Sequence, residues 1–200
     1  MSNVIDYFTL SSAANASDFG DLSGARQHHN ATGNTTRGIF GGGSYTGVDN
    51  STIDYVNIAS TGGVTDFGDL IGSGANYMNN GTAASSTRAL FMGGAFLAGE
   101  FAQSVNVIQY ITIASTGDAQ DFGDLTSTIQ WVASTSNATK AVSGGGYDDR
   151  NNDSTAYNAP YGIKIDVVVI ASTGNATDFG DLTERGRNGT AACGSQGGLS

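Results

Sequence analysis

Ile165–Leu182 reads IDVVVIASTGNATDFGDL, and three earlier stretches say nearly the same thing. Ile5–Leu22 reads IDYFTLSSAANASDFGDL, Ile53–Leu70 reads IDYVNIASTGGVTDFGDL, and Ile108–Leu125 reads IQYITIASTGDAQDFGDL. A phrase recurring at a period near fifty residues marks a repeat architecture rather than a single irregular core.

Each phrase opens with a six-residue run such as Ile53–Ile58, in which Ile53, Tyr55, Val56 and Ile58 put apolar side chains on both faces. The short, β-branched and aromatic run favours a strand buried on both sides. Turn residues follow: Gly62-Gly63, Gly117-Asp118 and Gly174-Asn175, with Ala14-Asn15 in the first copy. Glycine supplies the positive φ of a tight hairpin, and Asn15 is expected in the left-handed position of its own turn. In DFGDL, Phe19, Phe67, Phe122 and Phe179 are the large anchors, and Leu22, Leu70, Leu125 and Leu182 follow three residues later. The flanking aspartates, such as Asp66 and Asp69, are expected to accept backbone N–H groups. The intervening glycine allows a bulge or a close backbone approach.

The variable parts lie between the phrases. Arg37-Gly38-Ile39-Phe40, Arg88-Ala89-Leu90-Phe91 and Lys140-Ala141-Val142-Ser143 read as a second strand running into glycines. Arg37, Arg88 and Lys140 suit a cap on a loop carbonyl or an ion pair with a neighbouring unit. The links that follow, about 44–52, 95–107 and 147–164, lengthen along the chain and gain aromatic and charged residues. Variable loops on a constant frame are where binding usually resides. The candidate binding residues are therefore Tyr45, Phe96, Phe101, Tyr147, Asp148, Asp149, Arg150, Tyr157 and Tyr161.

Composition narrows the function classes. A formal charge of −10, from eighteen acidic and eight basic residues, argues against nucleic acid and anionic membrane surfaces as partners. Thirty glycines with one proline fit strands and turns, and no apolar run reaches the length of a membrane span. The first residues carry no signal-peptide pattern. The one cysteine, Cys193, cannot form an internal disulfide and reads as a small buried hydrophobe.

No catalytic set emerges. DFG occurs four times without the other kinase motifs. The adjacent His28 and His29 would point to opposite faces of a strand and make a poor chelate. The aspartate pairs supply too few oxygens for calcium. No cofactor and no metal are expected.

A unit thus has four short strands: a small-residue strand, the strand ending in glycines, the IDY strand and the DFGDL strand. Glycine pairs after an apolar strand, a later aromatic-bearing strand and a period near fifty resemble the kelch repeat, which builds one four-stranded blade of a β-propeller. Kelch usually has Trp where DFGDL has Phe. The phrases IASTGNATDFGDL and TRGIFGGG more narrowly resemble kelch-like repeats in virion proteins of tailed phages that infect marine bacteria such as cyanobacteria.

The resemblance implies an all-β, kelch-like propeller of four four-stranded blades in a single domain, 1–200. Whole blades would span about 23–70, 71–125 and 126–182, and a split blade would join 183–200 to 1–22. Asn188-Gly189-Thr190-Ala191-Ala192 repeats Asn80-Gly81-Thr82-Ala83-Ala84 and supports that clasp. A ring shared between two chains is the alternative closure. The implied role is a non-enzymatic structural protein of the virion, in capsid decoration, tail or fibre. Its expected partners are other virion proteins, itself as a homo-oligomer, or a glycan of the host surface. A lectin-like propeller is the alternative function, and a propeller enzyme finds no supporting pattern.

Overall fold

The structure is a computed structural model. It describes residues 1–45, 48–72, 80–98, 101–147, 162–184, 186, 189 and 191. The described residues form strands and turns and no helix, and accordingly no helix long and apolar enough to cross a membrane.

Two strands come first, β1 (Val4–Tyr7) and β2 (Ser17–Asp21), paired antiparallel. Three four-stranded antiparallel sheets follow. The first contains β3 (Asn30–Gly33), β4 (Arg37–Gly41), β7 (Thr52–Asn57) and β8 (Thr65–Asp69), in that spatial order. A small hairpin, β5 (Ser44–Tyr45) and β6 (Val48–Asp49), is inserted between β4 and β7. The second sheet repeats the pattern with β9 (Gly81–Ala84), β10 (Arg88–Met92), β13 (Val107–Thr112) and β14 (Gln120–Asp124). Its inserted hairpin is β11 (Ala95–Ala98) and β12 (Phe101–Ser104). The third sheet has β15 (Ala133–Ser136), β16 (Lys140–Gly144), β17 (Lys164–Val169) and β18 (Thr177–Asp181). The four-strand unit expected from the repeat is therefore present three times. Strand β9 lies between β3 and β15, so the first strands of the three sheets run side by side.

Local chemistry makes each hairpin. Asn34 Oδ1 accepts the N–H groups of Thr36 and Arg37, both at 2.9 Å. Asn137 does the same for Thr139 and Lys140, and the Ser85 hydroxyl for Thr87 and Arg88. These side chains reinforce turns that a backbone bond also closes, from Asn34, Ser85 and Asn137 N–H to Arg37, Arg88 and Lys140 O. In every DFGDL strand the register slips by one residue at the phenylalanine: Ile53 opposes Gly68 while Asp54 opposes Asp66, and β2, β14 and β18 show the same bulge. The glycine after each phenylalanine has φ between +142° and +148°, which disfavours a side chain.

The bulge serves the joint between units. The turn of each unit docks on the DFGDL strand of the one before. Gly62 N–H donates to Phe19 O at 2.7 Å and Val64 N–H to Asp21 O at 2.9 Å. Gly117 and Ala119 repeat this on Phe67 and Asp69, and Gly174 and Ala176 on Phe122 and Asp124. A Cβ added at Gly68 or Gly123 would sit 2.5–2.6 Å from the docked turn, so only glycine admits this approach. The expectation for Asn15 is not met. Among the described residues, positive φ outside glycine occurs only at His28 and Trp131. The position of Gly62, Gly117 and Gly174 is Ala14 in the first copy, and a Cβ there opposes the glycine-type turn.

The core is built between sheets. One cluster joins Phe67 and Leu70 to Ile111, Ile113 and Ala119 of the next unit, and another joins Phe122 and Leu125 to Val168, Ile170 and Ala176. Phe67 and Phe122 are 3% and 2% exposed, whereas Phe179, with no following turn among the described residues, is 63% exposed. Phe122→Ala should therefore cost about 3–5 kcal/mol in chemical denaturation of the single chain, and Phe179→Ala less than about 1 kcal/mol. Equal losses would contradict this account of the core.

Candidate functional site

Chain direction puts the variable links at one end of the sheets. Each unit enters at that end after the leucine of DFGDL, and each second strand returns to it. Gln27 bridges Ser44, and Gln130 bridges Tyr147, with backbone bonds of 2.7–3.0 Å. The inserted hairpins therefore rise beside the links that follow DFGDL. Tyr45 lies on β5, Phe96 on β11 and Phe101 on β12. Asp148, Asp149, Arg150, Tyr157 and Tyr161 fall outside the described residues, as does Cys193. Tyr147 stands against Trp131, with ring centroids 5.4 Å apart.

A cleft of about 160 Å³ opens at this end where the first strands begin, lined by His28, His29, Asn30, Asn80, Trp131 and Val132 among others. His28 and Trp131 occupy the same place in their units, one residue after the bridging Gln27 and Gln130, and both are left-handed, at φ 59° and 53°. The histidine pair is thus not on a strand. The left-handed step at His28 brings both rings to one cleft instead of sending them to opposite faces. Asn30 Nδ2 donates to Asn80 Oδ1 at 2.6 Å. Asn80 is 2% exposed, and its Nδ2 has no hydrogen-bond partner among the described residues. A pair of amides, two imidazoles and an indole can bond and stack on a polar ligand. The left-handed φ of Trp131 leaves no mark in the sequence, and Asn30 and Asn80 meet only through the packing of two units.

Near His29 lies a buried ion pair. Arg26 Nη2 donates to Asp54 Oδ2 at 2.8 Å, with both side chains wholly enclosed. Ser23 adds its N–H and hydroxyl to the same oxygen, and Arg26 Nη1 reaches Thr52 O at 3.1 Å. Burial pushes the Arg26 guanidinium below its usual range, and Asp54 pulls it back. The corresponding residues do parallel work: Asp166 binds the N–H and hydroxyl of Thr126, and Gln109 the N–H of Ile71. This second residue of the IDY strand ties down the link entering its own unit. The aspartates expected to matter, those of DFGDL, bind backbone more sparingly, as Asp178 does with Gly180 N–H.

Two of the basic residues of the second strands, Arg37 and Arg88, are structural caps. Arg37 Nη1 donates to Ile113 O at 2.6 Å and Arg88 Nη1 to Ile170 O at 2.9 Å, each in the following unit. Their guanidinium carbons lie 4.4 and 4.6 Å from the ring centroids of Tyr55 and Tyr110. Lys140, at the equivalent place, is exposed. Among the described residues no three His, Cys, Asp or Glu side chains gather closely enough to hold a metal ion.

No protein-family model matches the chain, and no curated protein matches it. Among solved structures it is similar to that of YjhT, with a TM-score of 0.66 over 88% of this chain at 9% sequence identity. That likeness is one of fold. The chain spans 62% of YjhT's length.

His29 gives the site a pH dependence. Burial lowers its pKa first, Arg26 lowers it further, and Asp54 partly opposes them. The folded protein therefore favours the neutral ring. That contribution is complete above the unfolded value near 6.5 and is lost as pH falls below it. Urea denaturation of wild type against His29→Gln between pH 7.5 and 5.5 should show a steeper loss in the wild type; parallel curves would contradict it.

Proposed function

We propose that this chain is a non-enzymatic structural protein of a phage virion, a kelch-like β-propeller of four four-stranded blades. The fourth blade combines 183–200 with Met1–Leu22. It works by surface contact, in capsid decoration, tail or fibre, with other virion proteins or the host surface as partners. The observation that carries this reading is the repeated joint. Arg37, Arg88, the docked turns and the DFGDL anchors hold successive units together, the strand aspartates fix the entering links, and variable residues collect at one end. The tail of the chain continues the series: Gly146 N–H donates to Gly186 O at 2.8 Å, as Gly94 N–H does to Ile129 O at 2.7 Å one unit earlier. The resemblance of the repeat phrases to phage virion proteins supplies the setting. Mass spectrometry of purified particles of the phage that encodes the chain should recover it in stoichiometric amount. Purified wild-type particles that lack it would remove the proposal.

A second reading, carbohydrate binding, is favoured by the cleft at Trp131, where Asn80 carries a buried amide nitrogen without a partner among the described residues. A glycan array should then show hits that Trp131→Ala abolishes, and an array without hits would set this reading aside.

A further inference from the structure

The two ends of the array are complementary to each other and both uncovered. At the trailing end, Phe179 is 63% and Leu182 38% exposed, where Phe122 and Leu125 are 2% and 4%. A Cβ at Gly180 would meet nothing within 4 Å, although at Gly68 and Gly123 it would strike the next unit's turn. Lys140 is exposed where Arg37 and Arg88 cap the carbonyls of Ile113 and Ile170. Every part of the acceptor half of a joint is therefore present on the third sheet.

At the leading end stands the donor half. Phe8 and Leu10 correspond to Ile111 and Ile113, and to Val168 and Ile170, which are 0–4% exposed in the second and third internal joints, and to Val56 and Ile58, which are 7% and 49% exposed in the first. Here they are 66% and 92% exposed. Asn15 corresponds to Asp118 and Asn175, whose side chains accept the N–H of Asp69 and of Asp124 in the preceding unit, each at 3.0 Å. Ala16 corresponds to Ala119 and Ala176, which donate their N–H to the same strands. Asn15 and Ala16 are both exposed.

We propose that the face carrying Phe179 and Leu182 receives Phe8, Leu10, Asn15 and Ala16 of a second copy, making a fourth joint of the internal kind between chains. The proposal rests on the split-blade reading above and specifies that the blade's outer strands come from a different copy. Within one chain both faces are described and each is uncovered. Because all three internal joints run in one sense, the surfaces are the opposite ends of one array, and the contact between copies is head to tail. Asn15 Oδ1 would accept Asp181 N–H, Ala16 N–H would donate to Asp181 O, and Lys140 would reach Leu10 O.

Light scattering of the full chain over a concentration series tests this, together with hydrogen exchange at the Asn15 and Ala16 amides. The expected result is a mass of two or more chains with slowed exchange at Ala16. Asn15→Ala with Ala16→Pro should weaken association about tenfold or more, since two hydrogen bonds are lost. Phe179→Asp, on a side chain already exposed in the single chain, should act likewise, with circular dichroism unchanged in both. A single-chain mass with Ala16 protected would mean that the joint closes within one copy. That outcome overturns the proposal and leaves the split blade standing. A single-chain mass with fast exchange would overturn both. An assembly that neither variant weakens would overturn the assignment of the joint.

Discussion

The structure depends on one constraint: the phenylalanine of a DFGDL strand is buried by the unit that follows, fully at Phe67 and Phe122 and in part at Phe19. Phe67 and Phe122 vanish beneath the next unit's IDY strand and turn, and Phe179 remains bare. A four-stranded sheet with large apolar side chains on both faces cannot be stable by itself in water. Stability is then a property of neighbours, as in other repeat proteins, and each joint stabilises two sheets at once. The bulge and its glycine are part of the same device. They let the docked turn approach the strand backbone closely enough for two N–H groups to reach carbonyl oxygens of the bulged strand.

Polar groups inside the array follow the same logic. The second position of the IDY strand is buried in every complete unit, as Asp54, Gln109 and Asp166. Each finds the backbone N–H of the entering link, so the cost of burying a polar side chain is offset by bonds to donors that would otherwise be orphaned. Only the first unit adds an arginine there, giving the one buried ion pair among the described residues. Its desolvation argues that it fixes the path of the link more than it adds stability. Arg37 and Arg88 meanwhile reach across to the next unit and lie over tyrosine rings, where a planar cation is favoured.

This division of labour separates frame from surface. The residues repeated in every unit are consumed by joints and turns. Those that differ are the inserted hairpins and the rims of the cleft at His28 and Trp131, all at one end. A scaffold of this type can change what it contacts without disturbing what holds it together. Its two uncovered faces, at Phe8 and Leu10 and at Phe179 and Leu182, lie apart from the variable end.

The repeat, the four strands of each unit, their order, the bulge at the DFGDL glycine and the end at which the links gather were all legible in the residues. Each is fixed by short-range chemistry: alternation, turn residues and spacing. The capping role of Arg37 and Arg88 was foreseeable for the same reason, being constant in spacing. Other features came from contacts between segments distant in the chain. Asp54 rather than Asp66 is the buried aspartate, because Arg26 and Ser23 of the entering link fold over it. His28 and His29 share a cleft because a left-handed backbone step, set by the bridge between Gln27 and Ser44, turns them together. Phe179 is exposed although its sequence is that of Phe122, because burial depends on the neighbour that docks and not on the residue itself.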